Sequence, residues 1–531
     1  MKLENAFREW EALLGRSQIF VREAAQLDYG SCTTGINRRL AGALKPLERD
    51  LVVPIVKIAA NYKIPLYPIS TGHNWGYGTS LPAVDNCIIL DLSELRQVID
   101  FDTHTGLVTV EPGVTQGQLA EFLHKEGYPF MVPVTGAGPT CSLLGNALER
   151  GYGITPYTDH FGAVMALQAV MPDGSVYQSA LTGMGGGHLD RAFKWGIGPY
   201  LDGLFSQGSV GVVTQMTIAL ARRPEAIRSF LFGLKCPKQL GDMVMRIHKI
   251  IARYPGIVGG INLMNAHRVL AMTTAYPRER VAIGEVISSE ILQKLCRENF
   301  VLPWTGLGTL YGSKSVVKAA QREIQSLLSP LAARLVFVSE DRIQTLFRIG
   351  KLLPGRFRSG LEQKLRMLER SFQLIAGYPN QTALPLCYWL KGELQCEATL
   401  NPARDGCGLI WYAPLVPMDQ KNVACYIQMV TTVMNKYKLE PLITLTSLSD
   451  RCFDSTVPLL FDPDSETARR NAENCYWELL EEGKKQGFLP YRVGIQTMNW
   501  LSANNSSCWQ MARKIKHSLD PDMIIAPGRY I

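Results

Sequence analysis

The chain has no apolar run of the ~20 residues needed to span a bilayer. It has no Cys-x-x-Cys or Cys-x-x-x-Cys pair, no long basic block, no internal repeat and no low-complexity tract. The first absence excludes a membrane-spanning helix. The second removes the zinc and thioredoxin signatures: none of the twelve cysteines is closer than nine residues to another, as for buried thiols in a reducing compartment. The third weighs against nucleic acid, because a net charge of +8 spread along the chain makes no footprint for a polyanion. A modest positive field suits an anionic substrate or an acidic electron-transfer partner equally well. No Rossmann fingerprint is present either: Gly183-Met-Gly-Gly-Gly187 lacks a strand before it and a helix after it, and Gly312-Ser-Lys-Ser315 lacks the spacing of a phosphate loop.

What remains is the composition of a globular enzyme, 46% hydrophobic and 19% charged, with mean hydropathy near zero. At 531 residues, two domains are expected. The N-terminus reads as an amphipathic helix carrying acidic residues, not a signal peptide, so a cytoplasmic location is expected.

The first part alternates helical and extended segments. Residues 51–61 have helical spacing, 64–70 and 86–92 are strand-like, 106–114 alternates up to a Pro-Gly break, and 116–126 is helical. Residues 164–179 read as a hairpin turning on Pro172-Asp-Gly174, and 209–219 as a further strand. Arg222-Arg-Pro-Glu-Ala226 marks a boundary. Beyond it, 227–236, 306–312 and 409–414 are strand-like, while 238–254 and 314–328 are helical, as in a sheet with helices on one side.

The densest motif is Pro68-Ile-Ser-Thr-Gly-His-Asn-Trp-Gly-Tyr-Gly78, in which three glycines bring backbone N–H groups close to a ligand. Such a loop suits a pyrophosphate. Four further motifs of small residues and glycines beside apolar strands follow within 150 residues: 136–139, 144–153, 155–160 and 204–214. Any one alone is a tight turn; together they favour a long ligand such as a dinucleotide.

These residues carry a resemblance. The loop, Ile89-Leu-Asp-Leu92, Val110-Glu-Pro-Gly-Val-Thr115, Gly145-Asn-Ala-x-Glu-Arg-Gly151, Thr155-Pro-Tyr-x-x-His160, Gly198-Pro-Tyr-Leu-Asp-Gly-Leu-Phe-Ser-Gln207, Trp411-Tyr-Ala-Pro414, Tyr491-Arg-Val493 and Ile525-Ala-Pro-Gly528 resemble, in order, the vanillyl-alcohol oxidase/p-cresol methylhydroxylase flavoproteins. The resemblance implies an α+β fold with a PCMH-type FAD-binding domain from 1–225 and 491–531, and an α+β cap at 226–490. It implies FAD as cofactor, with contacts from Pro68, Ile69, Ser70, Thr71, Gly72, His73, Asn74, Tyr77, Gly78, Pro139, Gly145, Asn146, Arg150, Gly151, Gly153, Tyr157, Gly211, Val212, Val213 and Arg529. Tyr77, Tyr491 and Arg492 would clamp a phenol as its phenolate, easing hydride loss from the benzylic carbon to the flavin. The substrate would be a small aromatic molecule, the acceptor oxygen or a cytochrome, and the assembly a homo-oligomer.

The chain departs from the family pattern. The cap positions that tether FAD covalently in relatives match Asn401 and Leu409, which cannot do so, whereas Thr71-Gly-His73 is similar to the histidyl tether of the wider superfamily. Leu445, Asp454 and Pro458 stand where p-cresol-type enzymes carry a Glu, a His and an Asp, and the acid of the alcohol oxidase is replaced near Ala137. Glu397 and Asp454 remain for acid–base work, Asp454 with an ion-pair partner as the plainer reading. A non-phenolic alcohol, hydroxy acid, sugar or amine stays open as substrate, as does a flavin-fold module that binds without turnover.

Overall fold

The computed structural model describes residues 2–282, 284–350, 355–392 and 399–531. The opening helix, Lys2–Leu14, buries Ala6 and Trp10. Its Trp10 indole N–H donates to the carbonyl of Ile55 on the helix Val52–Tyr62 at 3.3 Å. Both helices pack on a small sheet in the order Ile19–Val21, Gly42–Leu44, Ile88–Asp91, Leu66–Ile69. The last three strands are parallel, and Ile88–Asp91 is buried along its whole length, as a parallel strand covered on both faces must be. The C-terminal segment docks on this sheet: Leu66 N–H donates to Ile524 and Ala526 N–H to Leu66, both at 2.7 Å.

A second, antiparallel sheet runs Val98–Asp102, Leu107–Val110, Val212–Ala219, Val164–Val170, Val176–Gln178. Its last two strands form the hairpin expected from Pro172-Asp-Gly174. The short helix Leu143–Leu148 shares the core of this sheet, contributing Leu143, Leu144 and Ala147.

The middle of the chain forms an eight-stranded sheet in the order Ala332–Val338, Ala226–Leu234, Trp304–Gly312, Val258–Asn265, Thr444–Ser447, Cys452–Phe461, Gly408–Pro417, Pro490–Arg492. The helices Leu240–Arg253, Lys314–Leu328, Gln420–Lys436 and Glu466–Gln486 bury their apolar faces against it. Strand alternation then decides the site. Ile261, Leu263, Leu445, Phe453 and Val457 point into the helix-covered core. Their neighbours Asn262, Met264, Thr444, Thr446, Asp454 and Thr456 point the other way, into a cavity shared with the first domain. The pairs Asn262↔Thr446 and Thr446↔Asp454 put three polar side chains in one row. The edge strand Pro490–Arg492 pairs with Ala413, after which the chain crosses back: Ile495 N–H donates to Tyr77 at 2.9 Å. Tyr491 and Arg492 sit at that crossing.

Among the described residues, no helix is long and apolar enough to cross a membrane.

Candidate active site

The glycine loop leaves the carboxyl end of the strand Leu66–Ile69, where open sheets with parallel strands place ligands. Gly72, Gly76 and Gly78 have φ of 66°, 77° and 131°, a region hostile to other residues, and they fold the loop back on itself. The backbone N–H groups of Thr71, Gly72, His73 and Asn74 donate to no described residue. Four adjacent unpaired donors form a nest for an anion. Gly145 lets the helix Leu143–Leu148 approach, since a Cβ there would strike the Ser70 hydroxyl.

The loop is one wall of a cavity of about 510 Å³ between the domains. Pro68, Ile69, Ser70, Thr71, Gly72, His73, Asn74, Tyr77, Gly145, Asn146, Gly151, Gly153, Gly211, Val213 and Arg529 line it, together with Tyr491, Arg492 and Asp454. Five residues expected at the cofactor lie elsewhere. Gly78 packs on Ile495, 2.8 Å from where its Cβ would stand. Val212 turns into the core of the parallel sheet, because alternation sends Val213 to the cavity and its neighbour away. Arg150 Nε donates to Ser206 Oγ at 2.8 Å, and the Pro139 carbonyl accepts from Gly117 N–H at 2.8 Å. Tyr157 is 45% exposed. Glu397 lies outside the described residues.

One end of the cavity is strongly electrostatic. The Arg492 guanidinium lies 4.2 Å from the centroid of the Tyr77 ring, and its Nη2 donates to Asn74 Oδ1. Its Nε is 3.1 Å from Glu149 Oε2, and Arg529 pairs with the other oxygen of the same carboxylate. Two buried guanidiniums thus share one carboxylate, leaving a surplus positive charge beside Tyr77. Burial raises the hydroxyl pKa of Tyr77 and Tyr491, Asp454 raises both further, and Arg492 opposes it. Both phenols stay protonated and therefore remain donors. Gln207 Nε2 fixes the backbone beside them by donating to the Tyr491 carbonyl at 3.0 Å.

Asp454 is 4% exposed, its Oδ1 is buried without a hydrogen bond, and it forms no ion pair with a described residue. The plainer reading of Asp454 as an ion-pair partner is therefore corrected. Burial in the cap floor pushes its carboxyl up to about 7, with Arg492 pulling the other way. Leu445 is in the helix-covered core, and Pro458 pairs across the sheet with Trp411. His73 accepts or donates through Nδ1 to Thr140 Oγ1 at 3.1 Å and stacks on Trp75 at 4.8 Å. Burial lowers its pKa, so the ring is held neutral.

Residues 41–179 match the model of an FAD binding domain. Over 534 residues, 99% of this chain and 97% of the relative, the sequence is 32% identical to 1'-carboxy-chondrochloren decarboxylase of Chondromyces crocatus. It is 26% identical, over 99% of the chain and 95% of the relative, to the flavoprotein subunit of 4-cresol dehydrogenase [hydroxylating] of Pseudomonas putida. The chain belongs to the p-cresol methylhydroxylase-type family of FAD-linked oxidoreductases. The fold of this flavoenzyme superposes on p-cresol methylhydroxylase with substrate bound, with a TM-score of 0.88 at 24% identity, covering 100% of this chain and 96% of the other. A 4-ethylphenol oxidase from Gulosibacter chungangensis superposes with a TM-score of 0.87 at 22% identity, covering 100% and 97%.

FAD is the cofactor of the family, and the residues present fit it. The unpaired N–H groups of 71–74 match a pyrophosphate, and Gly145, Gly153, Gly211 and Tyr77 line the same cavity. Sequence reading passed over Glu149, although the Glu-Arg pair before Gly151 flagged it. It also passed over Arg268, which reaches the cavity from the helix Ala266–Thr273, and the threonines 444, 446 and 456, which reach it through cap strand pairing.

Proposed function

We propose that the enzyme removes a hydride from the benzylic carbon of a para-substituted phenol held as its phenolate. The observation that carries this reading is the pair of protonated tyrosines, Tyr77 buried and Tyr491 half-buried, whose hydroxyls have no hydrogen-bond partner among the described residues, set beside the surplus charge of Arg492. FAD, when bound, supplies the hydride acceptor. The loop 71–74 would hold its pyrophosphate, and Gly145, Gly153, Gly211 and Val213 would flank it. The hydroxyls of Tyr77 and Tyr491 would donate to the phenolate oxygen while Arg492 neutralises its charge. Asp454 would take the phenolic proton. The negative charge then moves from a carboxylate to the bound oxygen and the cavity's total charge is unchanged. The decisive comparison is anaerobic mixing with 4-ethylphenol and with its O-methyl ether. Loss of the yellow colour with the phenol alone is expected. Equal loss with the ether, which cannot ionise, would remove the phenolate from the mechanism.

A second fate of the oxidised substrate fits the cap floor, where neither Leu445 nor Pro458 can activate water. A relative at 32% identity is named as a decarboxylase. With a carboxylate on the adjacent side-chain carbon, the bond to it can break once the hydride has left. Its electron pair forms the side-chain double bond and restores the aromatic ring as CO₂ departs. The net change is a two-electron oxidation balanced by the hydride. Oxygen or a redox protein such as a cytochrome would then take the electrons from the cofactor.

His73 would be the covalent tether. Its neutral imidazole faces the cavity with one nitrogen occupied by Thr140, so the other would hold the flavin 8-methyl carbon; bonding there would release a proton of that carbon and leave two electrons on the flavin for oxygen or a redox protein to remove. Acid precipitation of the yellow protein is expected to leave the flavin on the pellet, and His73→Ala to release it into the supernatant. Release from the wild type would show that His73 only packs beside the cofactor.

A further inference from the structure

At the end of the cap strand Val258–Asn265 the chain enters the helix Ala266–Thr273, capped by Asn265, whose Oδ1 accepts from Arg268 N–H at 3.0 Å. The same Asn265 side chain ties this turn to the cap floor: Nδ2 donates to Pro441, and Oδ1 also accepts from Ile443 N–H. The next residue on the floor, Thr444, and the Arg268 side chain both line the cavity.

Arg268 is the anomaly of that surface. Its Nε and Nη1 are buried without a hydrogen bond, and no described carboxylate pairs with it. The guanidinium rests 5.5 Å from the Trp411 ring centroid, and the Cys387 thiol lies within electrostatic reach of it. A cation–π contact offsets only part of what it costs to leave a guanidinium buried and unpaired. The imbalance points to an anion that arrives with a ligand. Thr444 Oγ1 and Asn262 Oδ1, on the same floor, are also buried without partners. Desolvation lowers the Arg268 pKa only to about 10, so the cation persists at neutral pH.

Its position says which ligand. The pyrophosphate nest lies on the first domain, in the loop 71–74, whereas Arg268 projects from the cap. Trp411 links Arg268 to the substrate end: its ring fills the space beside Gly76, and its backbone N–H donates to the Gly76 carbonyl at 3.2 Å, one residue before Tyr77. The cap side chains that line the cavity with Arg268 include the apolar Met264, Met272, Leu384 and Leu386 and the neutral polar Asn262 and Thr444. A guanidinium with no described carboxylate partner matches a monoanionic carboxylate, which it grips through two parallel N–H bonds.

We propose that Arg268 anchors a carboxylate on the para side chain of the substrate, at the opposite end of the molecule from the phenolate clamp. The proposal rests on the phenol reading for the other end of the ligand, and it makes the substrate class a 4-hydroxyphenyl-substituted carboxylic acid.

The test uses the flavin-loaded enzyme and two ligands of equal size, 3-(4-hydroxyphenyl)propanoate and its primary amide. Binding is read from the perturbation of the flavin spectrum, and turnover from anaerobic flavin reduction. Wild type should bind the acid about 100-fold more tightly than the amide, the scale of a charge-assisted bidentate pair. Arg268→Met should erase that preference and leave amide binding within about threefold. It should also melt at or above the wild-type temperature without ligand, since it removes an unpaired buried cation. Acid and amide binding equally to the wild type would overturn the anchor, a result that needs no variant to fold. So would an Arg268→Met protein that weakens both ligands alike. Tight, Arg268-dependent binding of the acid without flavin reduction would uphold the anchor and overturn phenol oxidation.

Discussion

Replacing both Tyr77 and Tyr491 with phenylalanine is expected to slow flavin reduction by a para-alkylphenol about a thousandfold. Each hydroxyl would supply one hydrogen bond to a charged oxygen, worth ~1.5–3 kcal/mol, and each 1.4 kcal/mol is about tenfold. The single variants should each lose about 10- to 100-fold. The expectation is clean because neither hydroxyl spans two parts of the protein, so removal strands no partner and cofactor content should be unchanged. Arg492 cannot be tested as simply. It pairs with Glu149 and with Asn74, so truncation would strand a buried carboxylate that also holds Arg529. A spectroscopic readout separates the clamp from general damage. A phenolic inhibitor bound to the wild type near neutral pH should show phenolate absorption, and the double variant should bind it as the neutral phenol. A wild-type complex that holds the neutral phenol, or a double variant within threefold of wild type, would discard the clamp.

Local residues made the first domain legible, and long-range pairing hid the cap. The loop 68–78 follows its strand directly, and its three glycines take positive φ. The hairpin at 164–179 was equally local, closing on three turn residues. Side-chain direction was harder. Val212 and Val213 look alike in the sequence, and only the pairing of their strand with 164–170 sends one to the core and the other to the cavity. Arg150 sits in a helix-ending turn at a φ of 53°, which carries its guanidinium to Ser206. The substrate wall was least legible. Asn262, Thr446 and Asp454 meet through strand pairing across almost the full length of the cap, and no local pattern announces that register. Arg268 looks like any basic residue on a short helix until its surroundings are seen to hold no partner.

Asp454 carries the second large effect. Its charge touches the site broadly, raising the pKa of Tyr77, Tyr152 and Tyr491 alike, which places it within electrostatic reach of the whole clamp. A base must be ionised to act, and burial has raised this carboxyl to about 7. With neutral phenol as substrate, kcat/KM should therefore rise tenfold per pH unit below about 7 and level off above it. Asp454→Asn keeps the shape and the polarity but cannot take a proton. It should lower the plateau by about 10²–10³, the usual scale of general base catalysis, and abolish the rise near pH 7. The deficit should shrink as the pH approaches the phenol's own pKa near 10, because solvent then performs the deprotonation. An ortho-halogenated phenol, which ionises more readily, should recover at lower pH. If Asp454 were only structural, the variant would lose the same factor at every pH and with every phenol. The changing deficit thus marks a proton acceptor, and it would assign Asp454 the step that creates the phenolate held by Arg492.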